Sequence, residues 1–153
     1  MKTGFALAIA ALFCAPLAGS AAATDATLDP DGLILSAEGR DLSEFQWLKR
    51  PVVVFANSPA DPRYVEQMQL INERLDVLAD RDVVVITDTD PGARSAIRQK
   101  LRARDFMIVL ISKEGTVVLR KPFPWDVREL SRSIDKLPLR QQEIRDRRDV
   151  LRR

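Results

Sequence analysis

A single α/β domain, with a central mixed sheet flanked by helices, is the fold class this sequence predicts. Three observations carry it. Val52-Val53-Val54-Phe55-Ala56 and Val83-Val84-Val85-Ile86 are continuous apolar, β-branched runs with a helix-period stretch between them. Runs of that kind suit strands buried on both faces, and two of them around a helix make a right-handed parallel βαβ unit. Second, Phe106 to Ile111 is followed by Lys113-Glu114-Gly115 and then Thr116 to Arg120, the pattern of an antiparallel hairpin. Third, Val127, Leu130, Ile134 and Leu137 give a closing amphipathic helix, with Asp126 and Glu129 at its start and Pro138 to stop it.

The N-terminus reads as a signal peptide. Lys2 is the positive end, Phe5 to Leu17 is uncharged and largely apolar, and Ala21-Ala22-Ala23 fits the small-residue cleavage pattern. This run is short for a membrane span, which needs roughly 20 apolar residues. Cys14, the one cysteine, sits inside that run after Leu12-Phe13, which does not match a lipoprotein cleavage box. Residues 1–23 are therefore expected to leave, placing the mature chain in the periplasm or outside the cell, with no cysteine, no histidine and no transmembrane span. Residues 24–32 read as a loose leader, residues 33–138 as the folded domain and residues 139–153 as a charged basic tail. The net charge of +2 on 24 basic and 22 acidic residues points to neither nucleic acid nor membrane as a partner of the whole domain.

Within the domain, Leu33-Ile34-Leu35 reads as a short edge strand, and Leu42, Phe45 and Leu48 as a short helix capped by Asp41. Asp61-Pro62 begins the crossover helix, a carboxylate at the N-cap before a proline. Val65, Met68, Ile71, Leu75 and Leu78 are expected on its inner face, with Glu66, Gln69 and Glu73 outside. Ala93, Ala96, Ile97 and Leu101 mark another helix before the third strong strand. Trp47, Phe123 and Trp125 are read as closing the ends of the core.

The order β-α-β-α-β-β-α, a parallel half followed by a hairpin half, is the thioredoxin arrangement. The chain also resembles a family. Trp47-Leu48-Lys49-Arg50-Pro51-Val52-Val53-Val54-Phe55-Ala56, Asp61-Pro62-Arg63, the strand and turn from Phe106 to Gly115, and Leu137-Pro138-Leu139-Arg140-Gln141-Gln142-Glu143 together resemble the bacterial domain-of-unknown-function family numbered 4174. The likeness runs from about Leu33 to Arg145. It implies a thioredoxin- or peroxiredoxin-like fold. Kinship with the animal matrix protein coiled-coil domain-containing protein 80 implies a secreted, matrix- or glycan-associated role.

The usual chemistry of that fold is not written in these residues. A thioredoxin opens its first helix with Cys-x-Pro-Cys, whose thiol the helix N-terminus activates. Here the stretch reads Ala60-Asp61-Pro62-Arg63, and Ala103-Arg104-Asp105 precedes the third strand where a proline is expected. The sequence therefore predicts neither thiol–disulfide nor cysteine peroxidase activity.

Ligands of open α/β sheets bind beyond the carboxyl ends of parallel strands. Those ends carry Asn57, Ser58, Asp61 and Arg63 after the first strong strand, and Asp88 and Asp90 after the second. Free N–H groups near Pro62 together with Arg63 would suit an anion. The plainer reading makes Asp61 a cap and Asp88-Thr89-Asp90 a turn, with no metal and no cofactor called for. Arg94, Arg98 and Arg102 recur every fourth residue, an expected basic face for an anionic glycan, a lipid head group or an acidic protein. No nucleic acid is expected. The reading that follows is a non-redox binding module of the cell envelope. Its alternative is a cysteine-free enzyme acting on an anionic small molecule at the strand-end loops.

Overall fold

The computed structural model describes residues 32–152. The signal peptide, its cleavage site, Cys14 and nearly all of the leader lie outside the described residues. Five strands form one sheet in the order β1-β3-β2-β4-β5. They are β1 (Ile34–Ser36), β2 (Arg50–Phe55), β3 (Val83–Asp88), β4 (Met107–Ile111) and β5 (Val117–Lys121). β1 and β2 both run parallel to β3, with Ile34 opposite Val85 and Val52 opposite Val85 on its other edge. β4 runs antiparallel to β2, with Val53 opposite Val109, and pairs antiparallel with β5. The sheet is thus mixed and thioredoxin-like, as the sequence predicts.

The unbroken apolar runs have a physical cause. Val52 and Val54 point to one face, into a core with Met68, Ile71, Leu78, Leu130 and Ile134. Val53 and Phe55 point to the other, against Phe45, Ile97 and Leu101. A strand covered on both faces cannot alternate apolar with polar residues. The first face is covered by α1 (Pro62–Asn72), α2 (Leu75–Ala79) and α4 (Val127–Asp135). The second is covered by α3 (Ala96–Leu101) and a 3₁₀ helix, Leu42–Phe45. Asp41 caps that 3₁₀ helix in a capping box with Glu44.

Several expectations are corrected. The crossover helix is two helices, because Arg74 leaves the helical region at φ −141°, ψ 37°. Val65 is 43 % exposed, while Gln67 is fully buried. Gln67 accepts from the Trp125 N–H at 2.7 Å and donates to the Trp125 carbonyl at 3.1 Å. The buried side of α1 is thus turned toward the Trp125 segment that precedes α4. Trp47 and Phe123 do not close the core; both are largely exposed, and Trp47 has φ +64°. Only Trp125 packs on it, with Lys121 Nζ 4.2 Å from its ring centre. Pro138 does not end the helical structure but begins α5 (Pro138–Leu151), taking the first-turn position that needs no N–H. The charged tail is therefore largely helix, and Arg140 within it is buried.

Candidate functional site

The carboxyl ends of β1, β2 and β3 and the start of β4 meet at one rim, since Phe55 pairs with Asp88 on one side and Met107 on the other. At that rim, Asn57, Ser58, Ala60, Asp61, Pro62 and Arg63 line a shallow, open depression. Asp61 caps α1: its Oδ1 accepts from the Arg63 N–H at 2.9 Å. The same carboxylate takes the Arg63 side chain, Nε at 3.2 Å on Oδ1 and Nη2 at 3.0 Å on Oδ2. Hydrogen bonding from Arg63 holds the Asp61 carboxyl below its usual range. The reciprocal bond raises the Arg63 guanidinium further. That guanidinium also lies 5.4 Å from the centre of the Phe106 ring, a cation–π arrangement. Asn57 Nδ2 donates to Asp105 Oδ1 at 2.8 Å, and the Ala60 N–H donates to Ser58 Oγ at 3.1 Å.

The structure brings Asn57, Ser58, Asp61 and Arg63 together but not Asp88 or Asp90 with them. Asp88 turns to the α3 side and is buried with Arg98. Its Oδ1 accepts from Arg98 Nη2 at 2.8 Å and Nε at 3.1 Å, and its Oδ2 accepts from Ser95 Oγ at 2.6 Å. Arg98 also donates to the carbonyls of Ala56 and Asp88 and sits 5.2 Å from the centre of the Phe55 ring. Asp90 caps the 3₁₀ turn Pro91–Ala93 through the Gly92 N–H, 2.9 Å away. It also borders a separate depression with Ser36, Thr87, Thr89 and Ser95.

The expected basic face is not present. Arg98 is spent inside, on a carboxylate and two carbonyls. Arg94 and Arg102 are not in the helix but flank it in left-handed conformation, at φ +47° and +51°. A four-residue spacing makes a face only if all three residues are helical, and α3 is just six residues long.

Sequence reasoning missed Asp105, which takes a left-handed φ of +48°. The signal available was its place: the loop before the third strong strand faces the α1 turn in this topology. Among the described residues no group of three or more His, Cys, Asp or Glu is placed to hold a metal ion. No helix among them is long and apolar enough to cross a membrane.

The matching family model covers residues 41–143, more than half of the chain, and describes a domain of unknown function, DUF4174. The chain belongs to the DUF4174 family. No protein with a curated description matches it. Among solved structures it is similar to the reduced 2-Cys peroxiredoxin of Plasmodium vivax, at 14 % identity and a TM-score of 0.53, over 66 % of this chain and 84 % of that one. Prx1a of Plasmodium yoelii matches at 16 % identity and a TM-score of 0.50, over 65 % and 79 %. At these identities the likeness shows the fold.

The ends of the DUF4174 match are both anchoring residues. Asp41 caps the 3₁₀ helix. Glu143 on α5 accepts from Arg50 Nη2 at 2.9 Å and lies 2.9 Å from Lys113 Nζ. Asp82 bonds Lys113 at 2.8 Å, and the fully buried Arg50 also donates to the Arg81 carbonyl. Burial pushes the Glu143 carboxyl up, but hydrogen bonds and charge from Arg50 and Lys113 outweigh it and hold it at about 2. This cluster sits at the amino ends of β2 and β3, the pole opposite the rim. It accounts for Arg50, Arg140 and Glu143 of the Lys49-Arg50-Pro51 and Arg140-to-Glu143 motifs as supports for α5.

Proposed function

We propose that this DUF4174 protein is an exported, non-redox binding module of the cell envelope, working in the periplasm or outside the cell through its strand-end rim. The observation that carries the reading is the Asp61–Arg63 pair at the first turn of α1. A thioredoxin-like thiol owes its reactivity to that helix N-terminus, whose N–H groups and dipole favour the thiolate. Here a carboxylate accepts the N–H and an arginine neutralises the carboxylate. Ala60 and Arg63 stand at the two sulfur positions. Export rests on Lys2, the apolar stretch to Leu17 and Ala21-Ala22-Ala23.

What the rim offers a partner is the Ser58 hydroxyl, the Asn57–Asp105 pair and the Arg63–Phe106 stack. Because Arg63, the one cation lining the depression, carries its own counter-charge, the depression suits an uncharged, hydrogen-bonding surface better than a free anion. The reading as an enzyme of anionic substrates is weakened by the same geometry: Arg63 is paired, and Asp88 has both oxygens engaged.

Photo-crosslinking in intact cells tests the proposal. A photoreactive residue at Ser58 is expected to give a discrete adduct that Asp61→Ala/Arg63→Ala removes. The same group at exposed Glu73 is expected to give none. Adducts that appear equally at both positions, or at neither, contradict the rim as the contact surface.

A further inference from the structure

A cleft lies on the sheet face covered by α3 and the 3₁₀ helix Leu42–Phe45, toward the amino end of β2 and away from the rim. Its volume is about 180 Å³, room for roughly six waters or one small organic molecule. Leu42, Phe45, Pro51 and Ile111 form its apolar wall. Its polar residues come from three segments: Ser43 and Gln46 at the 3₁₀ helix, Lys100 on α3, and Ser112 and Glu114 in the turn after β4.

Several of these polar groups have unfilled capacity. Lys100 and Glu114 both border the cleft, yet they do not pair with each other. Neither side chain makes a hydrogen bond or an ion pair among the described residues. The Lys100 charge acts on Asp41 through space, but that carboxylate is committed to the Ser43 N–H of the cap. Ser112 is buried, at 5 % exposure. Its hydroxyl accepts from the Thr116 N–H at 3.3 Å and has no acceptor of its own among the described residues, so its proton is available to a ligand. Gln46 Nε2 donates to the Glu114 carbonyl, which leaves Oε1 without a donor.

We propose that this cleft binds the zwitterion of a free α-amino acid with a small apolar side chain. The ligand carboxylate meets the Lys100 ammonium and the Ser112 hydroxyl. The ligand ammonium meets the Glu114 carboxylate and Gln46 Oε1. The ligand side chain lies on Leu42, Phe45, Pro51 and Ile111. Charge complementarity selects the class. A simple anion would satisfy Lys100 but meet Glu114 as a like charge, and a simple amine would do the reverse. A zwitterion pairs with both.

The volume suits a single amino acid rather than a larger molecule. Lys100 and Glu114 are exposed, so water and salt screen both contacts and the affinity is expected near about 1 mM. The cleft shares no residue with the depression at Asn57 to Arg63. The inference therefore goes beyond the rim and stands or falls separately from it.

Titration of the purified protein with L-leucine, followed by amide chemical shifts in NMR, tests it. Saturable shifts are expected at Ser43, Lys100, Ser112 and Gly115, with half-saturation near about 1 mM, and none at Asn57 to Arg63. Isocaproate is leucine without its amino group, and isoamylamine is leucine without its carboxylate. Each should bind at least about fivefold more weakly than L-leucine. Lys100→Gln should bind L-leucine about as weakly as the wild-type protein binds isoamylamine. Glu114→Gln should bind it about as weakly as the wild-type protein binds isocaproate. Both positions are exposed, and the same spectra show that the fold is kept. No saturation by about 20 mM, shifts confined to the rim, equal binding of isocaproate or isoamylamine, or L-leucine binding unchanged in either variant overturns the proposal.

Discussion

Glu143 on α5 and Arg50 at the start of β2 are 93 residues apart in sequence and 2.9 Å apart in space. The Arg50 side chain is 1 % exposed and that of Glu143 is 22 % exposed. The pair fastens a helix that contributes little apolar burial to the end of the central strand, and Lys113 and Asp82 complete the fastening.

Removing the Glu143 charge takes from the fully buried Arg50 its nearest counter-charge, while Lys113 keeps Asp82. Glu143→Gln is expected to cost about 2 kcal/mol of unfolding free energy, read as a lower urea midpoint. Arg132→Ala, which breaks the exposed pair with Glu129, should stay within about 0.5 kcal/mol of wild type. Equal effects would contradict the network.

The same carboxyl sets a pH dependence. Its ordinary value of 4.5 is depressed to about 2 in the folded chain. A depressed carboxyl contributes stability that is present above its unfolded value and lost as pH falls through the folded one. Wild type should therefore lose urea resistance between about pH 4.5 and pH 2 faster than Glu143→Gln, the two curves converging. Parallel curves would contradict the assignment.

Asp88 is placed as a structural ion, not as a reactive one. Asp88→Asn leaves Arg98 without its counter-charge in a nearly solvent-free site, which should cost about 3 kcal/mol. Ser95→Ala, removing one bond to the same carboxylate and the cap of α3, should cost about 1 kcal/mol. Chemical denaturation checks both, and a fully stable Asp88→Asn would reopen Asp88 as a functional group.

Arg102 holds a left-handed conformation at the end of α3. Relief of side-chain strain outweighs the entropy glycine gains on unfolding, so Arg102→Gly should stabilise the chain by roughly 0.5 kcal/mol. Destabilisation would mean that the Arg102 side chain makes a contact that matters.

The fold was legible because its signals are local. Runs such as Val52 to Phe55 reflect burial on both faces, and caps such as Asp41 and Asp61 announce their helices within three residues. The same locality explains the failures. Arg94, Arg98 and Arg102 have helical spacing, but only the tertiary position of Asp88 reveals that Arg98 points inward. Pro138 and the charges after it read as a stop and a tail, because what keeps α5 in place is Arg50, far away in sequence. Gln67 and Asp105 likewise find their partners across the chain, in Trp125 and Asn57.

The central claim is that a thioredoxin-like turn keeps its place here while Asp61 and Arg63 replace its reactive chemistry. Dithiothreitol-driven insulin reduction tests it most directly. The wild-type protein and Cys14→Ala are predicted to run at the uncatalysed rate, while Ala60→Cys/Arg63→Cys rises above it because α1 activates the new thiols. Catalysis by the wild-type protein would contradict the claim, as would an Ala60→Cys/Arg63→Cys variant that folds yet stays at background.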